Sequence, residues 1–233
     1  MMLKRHQVFN ICYLFIGIAN LYAVYTDLFF LQLVAMPLIG SSLVIYFLIK
    51  SKIRGSFNLK ILLGLLLAMG GDVQLLFSNG RGYLFMSALI STQLGYLLYL
   101  GAFVEDLRFK SMQRNQFGVA SAFIFISLAA SYFLFAKEYL GEYEQAALLH
   151  LFVLALLPIL ASFRIKRNSY SFGALFTASA CFVISDYAIG YSTFIKYNRA
   201  LVLVYLTFYL LAQYLLVMGS IDRDAQESSK LIY

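Results

Sequence analysis

The chain has 233 residues, of which 62% are hydrophobic and only 12% charged, with a net charge of +7. Soluble domains carry about 25% charged residues. A mean hydropathy of +0.80 therefore excludes a soluble globular fold and leaves an integral membrane protein.

Apolar runs of about 20 residues, the length that crosses a bilayer, fall at 8–25, 28–49, 59–77, 83–104, 117–136, 145–163, 172–192 and 199–219. The expected fold is all-α, a polytopic bundle of about eight transmembrane helices in a single domain, 1–221. No small-residue cleavage site follows the first run, so no removable signal peptide is expected. The first two runs are joined by Tyr25-Thr26-Asp27 and predict a tight helical hairpin. Ser78-Asn79-Gly80-Arg81-Gly82 reads as a turn from its Asn-Gly and glycine content. The connecting segments leave no room for a soluble domain. The tail 222–233 is polar and expected to be cytoplasmic and poorly ordered. Cys12 and Cys181 fall inside apolar runs and read as buried small hydrophobes, with no disulfide or metal spacing. Trp is absent, so the 18 Tyr and 22 Phe must supply the interfacial aromatics.

Charge sets the expected orientation. With the N-terminus in the cytoplasm, fourteen of the eighteen Lys and Arg fall in inner segments and four (Arg81, Lys137, Lys196, Arg199) in outer ones. Cytoplasmic loops are the ones enriched in Lys and Arg, so both termini are expected inside. The same bias explains the basic composition without a nucleic-acid partner. The expected location is the inner (plasma) membrane of a bacterium.

Two acids stand inside apolar runs, Asp72 in Gly70-Gly71-Asp72-Val73 and Asp186 in Ile184-Ser185-Asp186-Tyr187. A carboxylate in hydrocarbon is costly, and such residues mark functional sites. Asp72 lies 13 residues beyond Leu59, and Asp186 lies 14 beyond Phe172. Both are about 20 Å along a hydrocarbon core of about 30 Å, on helices that run the same way. If helices 3 and 7 are neighbours, the two carboxyls face one cavity. The plainer reading of either acid is a structural hydrogen bond to a nearby Tyr or Ser; matched depth favours function.

Other intramembrane polar residues can join them. Helix 4 places Gln93 and Tyr96 on one face, and helix 8 places Tyr205, Tyr209 and Gln213 at successive four-residue steps. Ser179, Phe182, Asp186 and Gly190 share a face of helix 7, with Ser185 beside Asp186. His150 lies near the outer end of helix 6, at a depth that reaches Asp186. Prolines 37 and 158, with the two acids on the helices that follow them, suggest a four-plus-four repeat of 1–110 and 111–221. No P-loop, nucleophile elbow or His-Glu-x-x-His segment occurs. Two carboxylates and one His are a thin ligand set, so neither metal nor cofactor is expected.

The pattern resembles the YhhN family, the lysoplasmalogenase-like proteins that include the mammalian transmembrane protein 86 enzymes. The resemblance is carried by Gly71-Asp72 with Leu75-Leu76-Phe77, by Gly173-Ala174-Leu175-Phe176 leading to Ile184-Ser185-Asp186 and Phe194, and by Tyr209-Leu210-Leu211-Ala212-Gln213 with Gly219. It covers nearly the whole chain. The sequence departs from the family where Met36-Pro37-Leu38 replaces a frequent Lys-Pro-Leu, and where Gln93 stands in place of a frequent His three residues before Tyr96. The resemblance implies hydrolysis of the vinyl ether of a lysoplasmalogen, giving a fatty aldehyde and a glycerophospho-base, with a lysophospholipid as substrate and membrane lipids as surroundings. Asp72 and Asp186 would be the catalytic pair, one carboxyl protonated as general acid and the other ionised. Gln93, Tyr96, His150, Ser185, Tyr209 and Gln213 would bind or support. A proton-coupled transporter and a non-catalytic lipid-binding protein remain the competing readings.

Overall fold

The structure is a computed structural model that describes residues 6–78, 82–107, 115–164 and 169–230. Among them are eight long helices: α1 (Gln7–Tyr25), α2 (Phe29–Ser51), α3 (Gly55–Leu76), α4 (Gly82–Glu105), α5 (Gln116–Leu140), α6 (Glu144–Ser162), α7 (Ser169–Gly190) and α8 (Arg199–Lys230). The expected all-helical membrane protein is what the described residues form. A helix satisfies its own backbone, which hydrocarbon demands. Large apolar side chains such as Val8, Phe15, Phe30 and Phe123 point outward, each at least 70% exposed. That outward face suits lipid rather than water.

Among the described residues, seven helical segments are long and apolar enough to cross a membrane. One of them, Gln116–Ser162, has 47 residues and is divided at Gly141, whose φ of 53° is the left-handed backbone that glycine tolerates best. The chain folds back there through a short 3₁₀ turn, Gly141–Tyr143, so that α5 packs against α6.

The closest helix pairs are α3 with α4 and α7 with α8. Both pairs use small residues at the contact, the usual device where the backbones of membrane helices approach each other. A Cβ on Gly64 would stand 2.3 Å from the Tyr99 ring and 3.0 Å from the Gly95 carbonyl. One on Gly219 would stand 2.9 Å from Leu175. Gly64→Ala is therefore expected to destabilise the bundle by about 1–3 kcal/mol through overpacking. Gly173→Ala meets nothing within 4 Å and should be neutral or stabilising by up to about 1 kcal/mol from helix propensity. Thermal unfolding in detergent, with Gly173→Ala as the control, checks the pair.

Helices α3 and α7 do not form a main packing pair. Instead α8 packs against α1, α2, α3 and α7, and α4 packs against α3 and α6. The two acids thus meet across a cavity bordered by α4 and α8 rather than along a shared helix contact. Two other expectations need correction. Cys12 is exposed on the outer face of α1, while Cys181 is buried. The polar residues from Asp222 onward continue α8, which runs to Lys230; Tyr233 lies outside the described residues.

Asp106 anchors the start of that continuation through Arg223. It lies just past α4 and is 3% exposed. It accepts hydrogen bonds from Arg223 Nε at 2.9 Å and Nη2 at 2.7 Å, from Arg164 Nε at 3.1 Å, and from Arg164 Nη2. Both guanidiniums lie over the Phe57 ring, at 5.7 and 4.1 Å. Burial alone would raise the Asp106 carboxyl, but Arg223 and Arg164 outweigh it and hold the group below its ordinary range.

Candidate active site

Asp72 and Asp186 line one cavity of about 130 Å³. It lies at the end of the bundle where α3, α5 and α7 finish and α4, α6 and α8 begin. Its wall is almost wholly apolar, with Leu75, Ala88, Leu89, Leu151 and Ile189 among the lining residues. Gly71 makes this geometry feasible: a Cβ there would stand 2.6 Å from the Thr92 hydroxyl and 3.1 Å from the Ala88 carbonyl. Only a glycine lets α3 approach α4 closely enough to place Asp72 at the wall.

Each carboxyl is held by a tyrosine from another helix. The Tyr209 hydroxyl of α8 donates to Asp72 Oδ2 at 2.9 Å. The Tyr96 hydroxyl of α4 donates to Asp186 Oδ2 at 3.0 Å. The step along the chain that carries Asp72 to Asp186 carries Tyr96 to Tyr209 within one residue. Each acid thus takes its donor from a distant part of the chain: Tyr96 serves Asp186, and Tyr209 serves Asp72.

The surroundings then differ. His150 Nε2 is 2.9 Å from Asp186 Oδ2, and the two side chains are 12% and 11% exposed. Behind Asp72 runs a chain of hydrogen bonds. Tyr99 donates to Gln213 Oε1 at 3.4 Å, and Gln213 Nε2 donates to the Tyr209 hydroxyl at 3.1 Å. Gln213 thereby points the Tyr209 proton at Asp72.

Of the residues singled out from sequence, Asp72, Asp186, His150, Tyr205 and Tyr209 line the cavity. Tyr96 is fully buried behind Asp186, and Gln213 sits behind Tyr209. Gln93 and Ser185 are buried but outside the cavity wall. The Ser185 hydroxyl has no hydrogen-bond partner, so nothing in its placement ties it to either carboxyl.

Several wall residues were not singled out. Tyr132 of α5 lines the cavity, stacks on Tyr187 with ring centroids 4.3 Å apart, and donates to the Tyr187 carbonyl. Thr92 lies four residues before Tyr96, and Tyr99 three after it, so helical spacing placed all three on one face. After α7 the chain takes a π-helical turn, Tyr191–Ile195. Such turns occur mostly as local bulges near functional sites. This one brings Thr193 to the cavity, together with Phe194, which the family pattern had included. Phe194, Phe85 and Tyr143 form an aromatic cluster over its end, with centroids 5.5–5.8 Å apart. No periodicity in the sequence marks that turn.

Chemically, the site offers two carboxyls in an apolar space, each with an oriented hydroxyl. Two such groups cannot both ionise cheaply, so the pair is suited to moving a proton. Neither a curated protein nor a solved structure matches the chain. A family model described as the YhhN family matches residues 31–220, a range that takes in most of α2, α3 to α7, most of α8, both acids and the Tyr96, Tyr209 and His150 that contact them, and the chain belongs to the YhhN family.

Proposed function

We propose that this protein is a membrane hydrolase that cleaves the vinyl ether bond of a lysoplasmalogen. The observation that carries the reading is the pair of carboxyls facing one apolar cavity, each with its own tyrosine donor. Family membership supports a lysoplasmalogenase-like protein. The apolar wall suits an alkenyl chain, and the pair suits the chemistry. A protonated carboxyl gives its proton to the β-carbon of the vinyl ether, and the π electrons form the new C–H bond. The resulting oxocarbenium ion is stabilised by the ionised carboxyl. Water adds to the cationic carbon and yields a proton to that same carboxyl. In the hemiacetal, the hydroxyl proton returns to the first carboxyl. The C–O bond to glycerol breaks as the second carboxyl protonates the leaving oxygen. Aldehyde and glycerophospho-base leave, one water is consumed, and both acids are restored.

The charge bias supports cytoplasmic termini, with the cavity in the outer half of a plasma membrane. The exchanged tyrosines and the recurring helix pairs support a four-plus-four repeat.

Purified protein given 1-alkenyl lysophospholipids with ethanolamine or choline head groups should release fatty aldehyde. The matching ester lysolipids should release none. No aldehyde from any vinyl ether lipid would overturn the reading.

A further inference from the structure

The two acids are not equivalent, and their partners differ in a way that fixes where the protons lie. We infer that Asp72 is the proton donor, that Asp186 is the resident carboxylate, and that His150 is a positioning residue acting through Asp186. The catalytic meaning of this assignment rests on the hydrolase reading above; the location of the protons does not.

The argument begins at His150. Its Nε2 faces Asp186 Oδ2 at 2.9 Å, while its Nδ1 is buried with no hydrogen-bond partner. A proton on Nδ1 would bury an N–H donor with nothing to accept it, at the full cost of desolvating that group. A proton on Nε2 leaves only a bare lone pair at Nδ1. The neutral ring with Nε2–H is therefore the form this pocket accepts, and Nε2 donates to Asp186. Tyr96 donates to the same oxygen. Oδ2 of Asp186 thus accepts two hydrogen bonds at once, and two donors favour the ionised form of a carboxyl more than one does.

Asp72 is placed differently. Gln213 donates to the Tyr209 oxygen, so the Tyr209 proton must point at Asp72 Oδ2. That oxygen takes one donor where Asp186 takes two, so of the two carboxyls it is Asp72, a lining residue of the cavity, that keeps the proton. One neutral and one ionised carboxyl is also the arrangement least costly in an apolar space. The partner helices of the two halves correspond, but only Asp186 has a histidine. The asymmetry of His150 divides two otherwise matched acids into donor and base.

The resting protein can be tested without substrate. The chain has two histidines, so ¹⁵N-histidine labelling with a His6→Gln variant for assignment resolves His150. The expected signal at neutral pH is a protonated Nε2 and a bare Nδ1; a proton on Nδ1 overturns the inference. Infrared spectra in an ester-free detergent should show the carbonyl stretch of a buried protonated carboxyl, shifting in D₂O and absent in Asp72→Asn. No such band in the wild type, or its persistence in Asp72→Asn, overturns the inference. The histidine measurement needs no acid variant, so a poorly folded Asp72→Asn does not remove the test. With vinyl ether substrate, His150→Ala should lower kcat roughly 10–100-fold, the loss of one charge-assisted hydrogen bond, with KM little changed. His150→Gln, which keeps an N–H donor, should recover part of it. Expected proton signals without aldehyde release would sink the hydrolase reading alone; release with the protons reversed would sink this assignment alone.

Discussion

Asp72→Asn and Asp186→Asn are each expected to lower aldehyde release by at least about 10²–10⁴-fold, the usual contribution of a positioned acid or base. The two losses have different causes. Asparagine at 72 has no proton acidic enough to reach the β-carbon, so the first step fails. Asparagine at 186 places a neutral amide beside a developing cation and cannot take the proton from water. The double variant should be little worse than the weaker single variant, because residues that act as one unit are strongly non-additive. Tyr209→Phe tests the support rather than the chemistry. It removes the donor to Asp72 and strands Gln213 Nε2, and should cost roughly tenfold, one hydrogen bond's worth. Initial rates on a vinyl ether lysolipid, compared at equal folded protein, give all four values. Near-wild-type activity in either Asp variant would remove that acid from the mechanism.

The sequence made the two acids legible for a physical reason. A carboxylate in an apolar run stands out against hydrocarbon, and the 1.5 Å helical rise converts position into depth. Asp72 and Asp186 read as level in this way, and the structure brings both to one cavity. The route by which they meet was not legible. Depth along a helix says nothing of which helices touch, and the acids face each other across a cavity that α4 and α8 border rather than through an α3–α7 contact. Tyr209 and Gln213 could be read from their four-residue spacing. The hydrogen bond from Tyr96 to Asp186 could not, because it joins helices whose adjacency no local pattern encodes. Ser185 illustrates the converse: adjacency to Asp186 in sequence turns its side chain away from that face of the helix. The cavity's end was hidden for another reason, since a π-helical turn changes the period on which helical reading depends.

Asp106 was missed because it sits beyond the end of α4, where an acid looks like any loop residue. Arg164 and Arg223 were counted only as topology charges. The three are in fact a buried cluster, with side chains 0%, 2% and 12% exposed. Removing one partner of such a cluster leaves uncompensated buried charge, at a cost of about 3–5 kcal/mol. In Asp106→Ala two guanidiniums would face each other over Phe57. The unfolding midpoint in detergent should therefore fall by several degrees, at roughly 2–4 °C per kcal/mol for a chain of this size; a midpoint within about 2 °C of wild type would refute the cluster's structural role. Replacing all three charges with apolar residues should restore much of the loss, since a well-packed apolar substitute is often as stable as a buried ion pair. The sign with pH follows from the lowered Asp106 carboxyl. Its contribution is fully present above the ordinary carboxylate range and is lost as pH falls through the lowered one. The wild type should thus lose this stability only in strong acid, and Asp106→Ala should show no matching loss there. The cluster also bears on the site at the far end of the bundle. It ties the end of α4 to the end of α6 and to α8, and these three helices carry Tyr96, His150 and Tyr209, the donors that hold the two acids. Loosening the clamp should therefore weaken aldehyde release as well as stability, although none of the three residues lines the cavity.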